Sequence, residues 1–164
     1  MESRPEVVAI AKDVLKYIPY LNIVSGEYFS GYGANFGIVN ELSTQKFLNK
    51  LKKCRVCALG ACFLAERRIS GNCIPHASGQ ELKNDLGNIF GAKELSDIES
   101  AFEREEFNTF DYVGSHDSIA FGKYFKNEAA RLAAIMQNII DHDGWFIPGV
   151  DGKNATKYPR VYSK

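Results

Sequence analysis

The chain has 164 residues, which is the size of one domain with a single hydrophobic core. Hydrophobic residues make up 45% of it and charged residues 24%, a composition that excludes a disordered chain. Its 20 basic and 20 acidic residues give a net charge of zero. Because phosphate binding needs an excess of Lys and Arg, nucleic acid is not expected as a partner.

The sequence carries no pattern of a membrane or exported protein. No apolar run approaches the ~18 residues that a membrane-spanning helix requires. Residues 1–6 lack the charged start and apolar core of a signal peptide. We therefore expect a cytoplasmic protein that does not bind membranes and whose four cysteines are reduced. Reduced cysteines serve packing or metal binding.

Helical periodicity extends over most of the chain. Ser3 and Glu6 have capping-box spacing and open a helix that stops at Pro19. Two similar boxes, Ser78 with Glu81 and Ser96 with Glu99, are predicted to open later helices. Three further helices are predicted over residues 44–53, 56–65 and 128–141, the last capped by Asn127 and ended at Gly144.

Residues 21–39 are the exception to this helical pattern. Aromatic residues alternate with glycines there, which is typical of a strand pair or an ordered loop. The glycine spacing does not match a dinucleotide-binding fingerprint. We expect a small β or irregular insertion and regard its aromatic residues as a candidate ligand- or partner-binding surface: Tyr28, Tyr32 and Phe36.

These patterns together predict a mainly α-helical fold, with α+β as the remaining option. About five to six helices form one compact domain, residues 1–164, around a buried central helix at 56–65. Residues 149–164 are polar and without periodicity, so they are predicted to form a loosely docked tail.

Three of the four cysteines lie between residues 54 and 62. Cys54 and Cys57, followed by Cys73 and His76, have the spacing of a zinc site, because tetrahedral zinc takes paired CxxC and CxxH turns. The segment after Cys57 is apolar on all sides, which is instead typical of a buried helix of small residues. We favour the buried helix and expect no cofactor, with zinc as the alternative.

Two other patterns bear on chemistry. His116 and Asp117, with His76 before them and Asp141 or Asp143 after them, resemble the order of metal ligands in the HD phosphohydrolases, which implies metals that activate water. A helix start is the simpler interpretation, since Asp and Ser favour caps. No catalytic residue is assigned, although a dyad of Cys54 or Cys62 with a histidine stays open.

The segment after the last predicted helix holds the single tryptophan, Trp145. We expect Trp145 and Phe146 to fold back onto the core. The alternative is an exposed aromatic site for a protein partner, since Trp is enriched in such sites.

The neutral chain is divided into two charged segments. Residues 41–80 hold seven basic and two acidic residues, and residues 81–111 hold three basic and nine acidic ones, so their net charges are +5 and −6. The simplest interpretation is two solvated faces that attract each other. The alternative is an acidic patch for a protein beside a basic patch for an anionic ligand, whose candidate residues are Lys46, Lys50, Lys53, Arg67 and Arg68.

Sequence motifs in three parts of the chain resemble, in the same order, motifs of small proteins from phages, prophages and bacteria. No activity is established for those proteins. The three parts are the helix motif from Cys57 to Ala61, the pair of segments 98–103 and 131–140, and the later Gly144-x-Phe146-x-Pro148. Cys73 and His76 are not part of the pattern.

The resemblance implies an accessory protein of a mobile element, acting in the host cytoplasm. Our preferred hypothesis is a non-catalytic binding protein that inhibits a host (defence) protein or sequesters a small anionic ligand such as a nucleotide. A homo-oligomer stays open. The alternatives are a metal-dependent phosphohydrolase-like enzyme and a zinc-stabilised interaction module.

Overall fold

The computed structural model describes residues 1–26, 29–30, 55–71, 79–109 and 111–160. This part of the chain is mainly helical, which confirms the predicted fold class. Its six α-helices are α1 (Pro5–Tyr17), α2 (Ala58–Ser70), α3 (Gly79–Phe90), α4 (Ala92–Glu103), α5 (His116–Lys123) and α6 (Glu128–Asp141). Two 3-10 segments, Ile18–Tyr20 and Val150–Lys157, complete the helical part.

Two small sheets accompany the helices. In the first, β3 (Arg55–Val56) lies between β1 (Asn22–Ile23), to which it is parallel, and β2 (Phe29–Ser30), to which it is antiparallel. The second is the antiparallel hairpin of β4 (Asn108–Thr109) and β5 (Tyr112–Val113). The predicted β insertion is therefore confirmed where its residues are described, and residues 31–39 lie outside that part.

The predicted central helix is confirmed as α2, although it begins at Ala58, since Val56 belongs to β3, and extends to Ser70. Every residue from Ala58 to Ala65 is buried, because this face meets α1, α3 and α4. Small residues allow those neighbours to approach closely. The two arginines of the last turn are favourably placed near the negative end of the helix dipole.

The last predicted helix is also confirmed, with the same bounds, as α6. The Asn127 side chain accepts a hydrogen bond from the Ala130 amide at 2.9 Å, which is the predicted cap. Gly144 has a positive φ of 101° and donates its amide to the Ile139 carbonyl, which ends the helix. Leu132, Ile135 and Ile139 of the buried stripe are fully inside the core.

Two of the predicted helix starts are wrong. Helix α1 begins after Arg4, whose side chain makes contacts elsewhere, and no side chain caps this end. Ser96 lies inside α4, which begins at Ala92. Its hydroxyl is buried and donates to the Tyr112 carbonyl at 2.8 Å. The Ser-x-x-Glu spacing of Ser96 and Glu99 matches a capping box, but here the serine forms a hydrogen bond with a distant strand instead of capping the helix.

The predicted loosely docked tail is wrong for residues 150–158. Val150–Lys157 is the second 3-10 segment and packs on α5, and Gly152, Ala155 and the following residue, Tyr158, are buried. Residues 161–164 lie outside the described part. A short kinked segment with two left-handed residues, Asp151 and Gly152, has no regular period by which the sequence could reveal it.

Helices α4 and α5 pack closely because of a glycine. A methyl group on Gly122 would lie 1.8 Å from the Ala101 carbonyl oxygen, so only glycine permits this approach. α5 in turn carries the tail, and α4 also contacts α6. The α5–α6 connection, residues 124–127, therefore lies between two helices that both pack against α4.

Candidate functional site

Most residues of the two predicted binding surfaces lie outside the described part of the chain. This holds for the aromatic residues of the insertion, for three predicted lysines and for three of the four predicted zinc ligands: Tyr28, Tyr32, Phe36, Lys46, Lys50, Lys53, Cys54, Cys73 and His76. The predicted helix over residues 44–53 also falls there. The described part contains Arg67, Arg68 and Cys57.

Arg67 and Arg68 are both compensated within the chain. The Arg67 guanidinium pairs with Asp85 of α3, and that of Arg68 pairs with the buried Asp13 of α1. Their guanidinium groups also lie over aromatic rings, Arg67 over Phe63 at 4.8 Å and Arg68 over a tyrosine of α1. This removes both arginines from the candidate anion-binding surface. The Arg67–Asp85 pair shows basic and acidic segments attracting each other across the fold.

The two described cysteines are core residues. Cys57 precedes α2 and is 2% exposed, and burial raises the pKa of its thiol to about 12 against the opposing effect of the Gly60 and Leu59 amides. Cys62 is fully buried, and burial raises its pKa as well. Without a bound metal both thiols therefore stay protonated at neutral pH, and a protonated thiol is a poor nucleophile.

The His-Asp pair begins a helix, as its simpler interpretation predicts. The hydroxyl of Ser115 caps α5 by accepting from the Ser118 amide at 3.1 Å. The Asp117 carboxylate accepts from the Asp151 amide at 2.9 Å, and the exposed His116 lies 3.8 Å from the Asp151 carboxylate. Within the described ranges, no three His, Cys, Asp or Glu side chains converge as metal ligands.

Trp145 folds back, while part of its ring remains accessible. Its indole N–H donates to the Glu2 carbonyl at 2.6 Å, and the Arg4 guanidinium stacks on the ring at 3.7 Å. Arg4 also donates to the carbonyls of Gly144 and Phe90. The pair thereby joins the start of α1 to the chain that follows α6. Phe146 is 5% exposed, so the expected return to the core is confirmed.

An open cavity of about 820 Å³ lies where α5 ends and α6 begins. Three basic side chains line it, Lys123, Lys126 and Arg160, together with the ring of Tyr124. All three cations are exposed, and none of them pairs with a carboxylate of the described residues. Among the described lining residues Glu128 is the one acidic side chain, so these residues together carry a net positive charge. We call this feature the basic cavity.

A fully buried arginine supports the wall of the basic cavity. Arg131 of α6 is 0% exposed, and its Nη1 donates to the Phe125 carbonyl at 2.8 Å. Phe125 lies between Tyr124 and Lys126, so this bond fixes the segment that carries them. Nη2 donates to the Ser25 hydroxyl at 3.3 Å, and Nε has no hydrogen-bond partner among the described residues.

The charge of Arg131 lacks a close counter-ion. No described carboxylate lies within ion-pair distance of its guanidinium, although Glu128 and Glu103 act on it from farther away. Burial is the main cause that lowers its pKa to about 10, so the group keeps its charge at neutral pH. Since buried charges are normally paired, a negative group nearby would lower the free energy of this arrangement.

The cations of the basic cavity do not form a run in the sequence, so no charge pattern predicts the cavity. Lys123 and Lys126 flank the end of α5, and Arg160 comes from the tail that was expected to be loosely docked. One local signal was available: the cap at Asn127 follows two lysines within four residues, and helix starts attract anions.

No described helix is long and apolar enough to cross a membrane. No family model matches the sequence, and neither the curated proteins nor the solved structures contain a significant match.

Proposed function

We propose that this chain is a non-catalytic accessory binding protein that sequesters a small anionic ligand, of the class of nucleotides, in the basic cavity. The observation that carries the proposal is the set of three cations that line one cavity, Lys123, Lys126 and Arg160, without carboxylate partners among the described residues. Cations that share a cavity repel one another, and a bound phosphate group would relieve this repulsion.

Two further properties of the cavity support a nucleotide over a bare inorganic anion. Its volume of about 820 Å³ lies in the range of small-molecule sites and greatly exceeds the volume of a single phosphate ion. The half-buried ring of Tyr124 offers an aromatic face to a base, while the lysines and Arg160 offer charge to phosphates. The start of α6 adds the positive end of its dipole.

The resemblance to phage and prophage proteins supplies the context. By removing a small host-cell nucleotide from solution, such a protein would act as an inhibitor without a catalytic step. Direct inhibition of a host protein is the other form of the hypothesis. The two forms differ in whether a purified small molecule alone saturates the protein.

Isothermal titration calorimetry with AMP, ATP, adenosine and inorganic phosphate tests the proposal. We expect one nucleotide per chain, with adenosine and phosphate each weaker than AMP, because each lacks one half of the recognised chemistry. The double variant Lys123→Glu/Lys126→Glu should weaken AMP binding by at least about a hundredfold, since reversing two contacts removes attraction and adds repulsion.

The matched control is Lys12→Glu/Lys153→Glu, which changes the net charge equally at two exposed lysines away from the cavity lining. If both double variants weakened AMP binding equally, the loss would come from the change in overall charge, and the proposed site would be contradicted. Saturation by none of the four probes would contradict the proposal as a whole. Chromatography of AMP after incubation with the protein and Mg²⁺, Mn²⁺ or Zn²⁺ should return it intact, and hydrolysis would support the phosphohydrolase alternative.

A further inference from the structure

The hairpin of β4 and β5 exposes the one adjacent pair of large apolar side chains in the described part of the chain. Tyr112 is 51% exposed and Val113 is 52% exposed. Large apolar side chains that stand together in water are typical of interaction surfaces, whereas single ones are common everywhere on proteins.

The exposure of this pair is not the result of a loosely held hairpin. Three side chains of α4, all buried, bind the backbone on both sides of it. Ser96 donates to the Tyr112 carbonyl at 2.8 Å, Ser100 accepts from the Phe107 amide at 2.9 Å, and Asp97 accepts from the Ser115 amide at 2.8 Å. Apolar side chains held in a fixed position lose little entropy when a partner covers them.

Gly114 brings the hairpin still closer to α4. A methyl group on this glycine would lie 1.8 Å from the Ser100 hydroxyl oxygen, so the backbone contacts the helix directly. The fold therefore determines which way Tyr112 and Val113 face.

The ring of Tyr112 also lines a second cavity, of about 590 Å³, which lies between the hairpin and the ring of Trp145. Ile89 and the Arg4 guanidinium stacked on Trp145 contribute to the same lining, together with the charged side chains of Lys93 and Glu94. Tyr, Trp and Arg are the residues most enriched among energetically dominant contacts of protein interfaces. This cavity is separate from the basic cavity and has a different lining.

The charge around the exposed pair indicates the chemistry of its partner. Glu105, Glu106 and Asp111 are exposed on the hairpin arms, and none of them forms an ion pair with a described residue. Arg104 is the basic residue on the same arms, so the hairpin is net negative. A partner with basic residues would be attracted to this surface and correctly oriented by it.

We propose that the hairpin surface formed by Tyr112, Val113 and their flanking carboxylates docks a segment of another protein in which apolar residues alternate with lysine or arginine. An apolar side chain of that segment enters the cavity between Tyr112 and Trp145. Its basic residues lie near Glu105, Glu106 and Asp111. A protein partner on this surface would be additional to the small ligand of the basic cavity. The two proposals rest on different residues, so the failure of one does not affect the other.

The experiment uses a fluorescein-labelled peptide that alternates lysine with leucine and valine, and fluorescence anisotropy at physiological ionic strength. We expect saturable binding that weakens by about tenfold or more in Tyr112→Ser/Val113→Ser, because truncation removes the apolar anchors. Glu105→Gln/Glu106→Gln/Asp111→Asn should weaken binding and reduce its dependence on salt concentration. A peptide with glutamate in place of lysine should not bind.

The matched control is Ile69→Ser/Val150→Ser, which truncates two exposed apolar residues elsewhere, 50% and 70% exposed. Affinity equal to wild type is expected there, and an equal loss in both double variants would overturn the proposal. The absence of peptide binding to the wild-type protein would overturn it as well. Self-association detected by analytical ultracentrifugation, and abolished by Tyr112→Ser/Val113→Ser, would assign the surface to a second copy and also overturn it.

Discussion

The Nη1 of Arg131 donates to the carbonyl oxygen of Phe125 at 2.8 Å inside the core. This bond joins the second turn of α6 to the segment that precedes the helix, where Tyr124 and Lys126 line the basic cavity. The same guanidinium reaches Ser25 after β1. A single buried cation thus fixes the connection just before α6 and joins it to Ser25, 106 residues away in sequence.

We predict that Arg131→Met lowers the free energy of unfolding by about 3 kcal/mol. Methionine fills a similar volume but leaves the Phe125 carbonyl and the Ser25 hydroxyl without their hydrogen-bond donor. Urea denaturation measures the change. Arg104→Met, at an exposed arginine, is the control and should stay within about 0.5 kcal/mol of wild type. Similar values for both variants would contradict a supporting role for Arg131.

The docking of the tail predicts a difference between two glycines with the same backbone conformation. Gly152 and Gly71 have φ values of 72° and 71°. A methyl group on Gly152 would lie 2.2 Å from the Phe121 amide nitrogen, whereas one on Gly71 would meet no described atom within 4 Å. Gly71→Ala should cost about 1 kcal/mol of stability from the left-handed backbone alone. Gly152→Ala should cost about 3 kcal/mol, because the clash is added. Equal costs in thermal or urea unfolding would indicate that the tail does not pack on α5.

Glu103 predicts a dependence of stability on pH. Burial raises the pKa of its carboxyl above the ordinary 4.5, partly opposed by the Gly26 amide, which donates to it at 2.9 Å. The folded state then binds this proton more tightly than the unfolded state does. The contribution of Glu103 to stability should therefore decrease as the pH rises from 4.5 through its raised folded-state pKa.

Denaturation of wild type and Glu103→Gln between pH 4.5 and 7 measures this effect. The stability of wild type relative to the variant should be greatest near pH 4.5 and decrease toward neutral pH. Glu106→Gln, at an exposed glutamate of the next segment, is the matched control. The same pH dependence in both variants would show that Glu103 is not the source.

The burial of Cys57 and Cys62 predicts their chemical behaviour. In the variant Cys54→Ser/Cys73→Ser, we expect neither remaining thiol to react with a disulfide reagent at pH 8 in the folded state, because both are protonated and covered. Both should react in denaturant. Zinc content of the wild type and of Cys57→Ser completes the test: one zinc per chain that disappears in Cys57→Ser would contradict the burial of this thiol and restore the zinc alternative.

Local patterns were sufficient for the elements that depend on neighbouring residues. The α6 bounds followed from a 3.6-residue apolar stripe between Asn127 and Gly144, because capping and periodicity are both short-range effects. The burial of α2 followed from the uncharged run after Cys57. A serine before His116 indicated the start of α5. The amide that this serine, Ser115, caps is that of Ser118, which only the structure shows.

Long-range contacts explain what the patterns did not reveal. Ser96 has the spacing of a cap but bonds a strand 16 residues away, and Arg67 belongs to a basic run but pairs with Asp85. In each case the side chain has a partner whose position depends on how the helices pack. Spacing along the chain contains no information about that packing.

By itself, the sequence determined that this protein is a mainly helical, neutral chain with a buried helix after Cys57 and a capped amphipathic helix from Glu128, since composition and periodicity act over one or two turns. Only the tertiary structure decided which of the described cations have carboxylate partners among the described residues. In the folded chain, Arg67 and Arg68 pair with carboxylates. Three other cations line one cavity: Lys123, Lys126 and Arg160. The side chains of Tyr112 and Val113 remain exposed to solvent. Charge compensation and exposure depend on distances between segments that are far apart in the chain, and those distances exist only after folding.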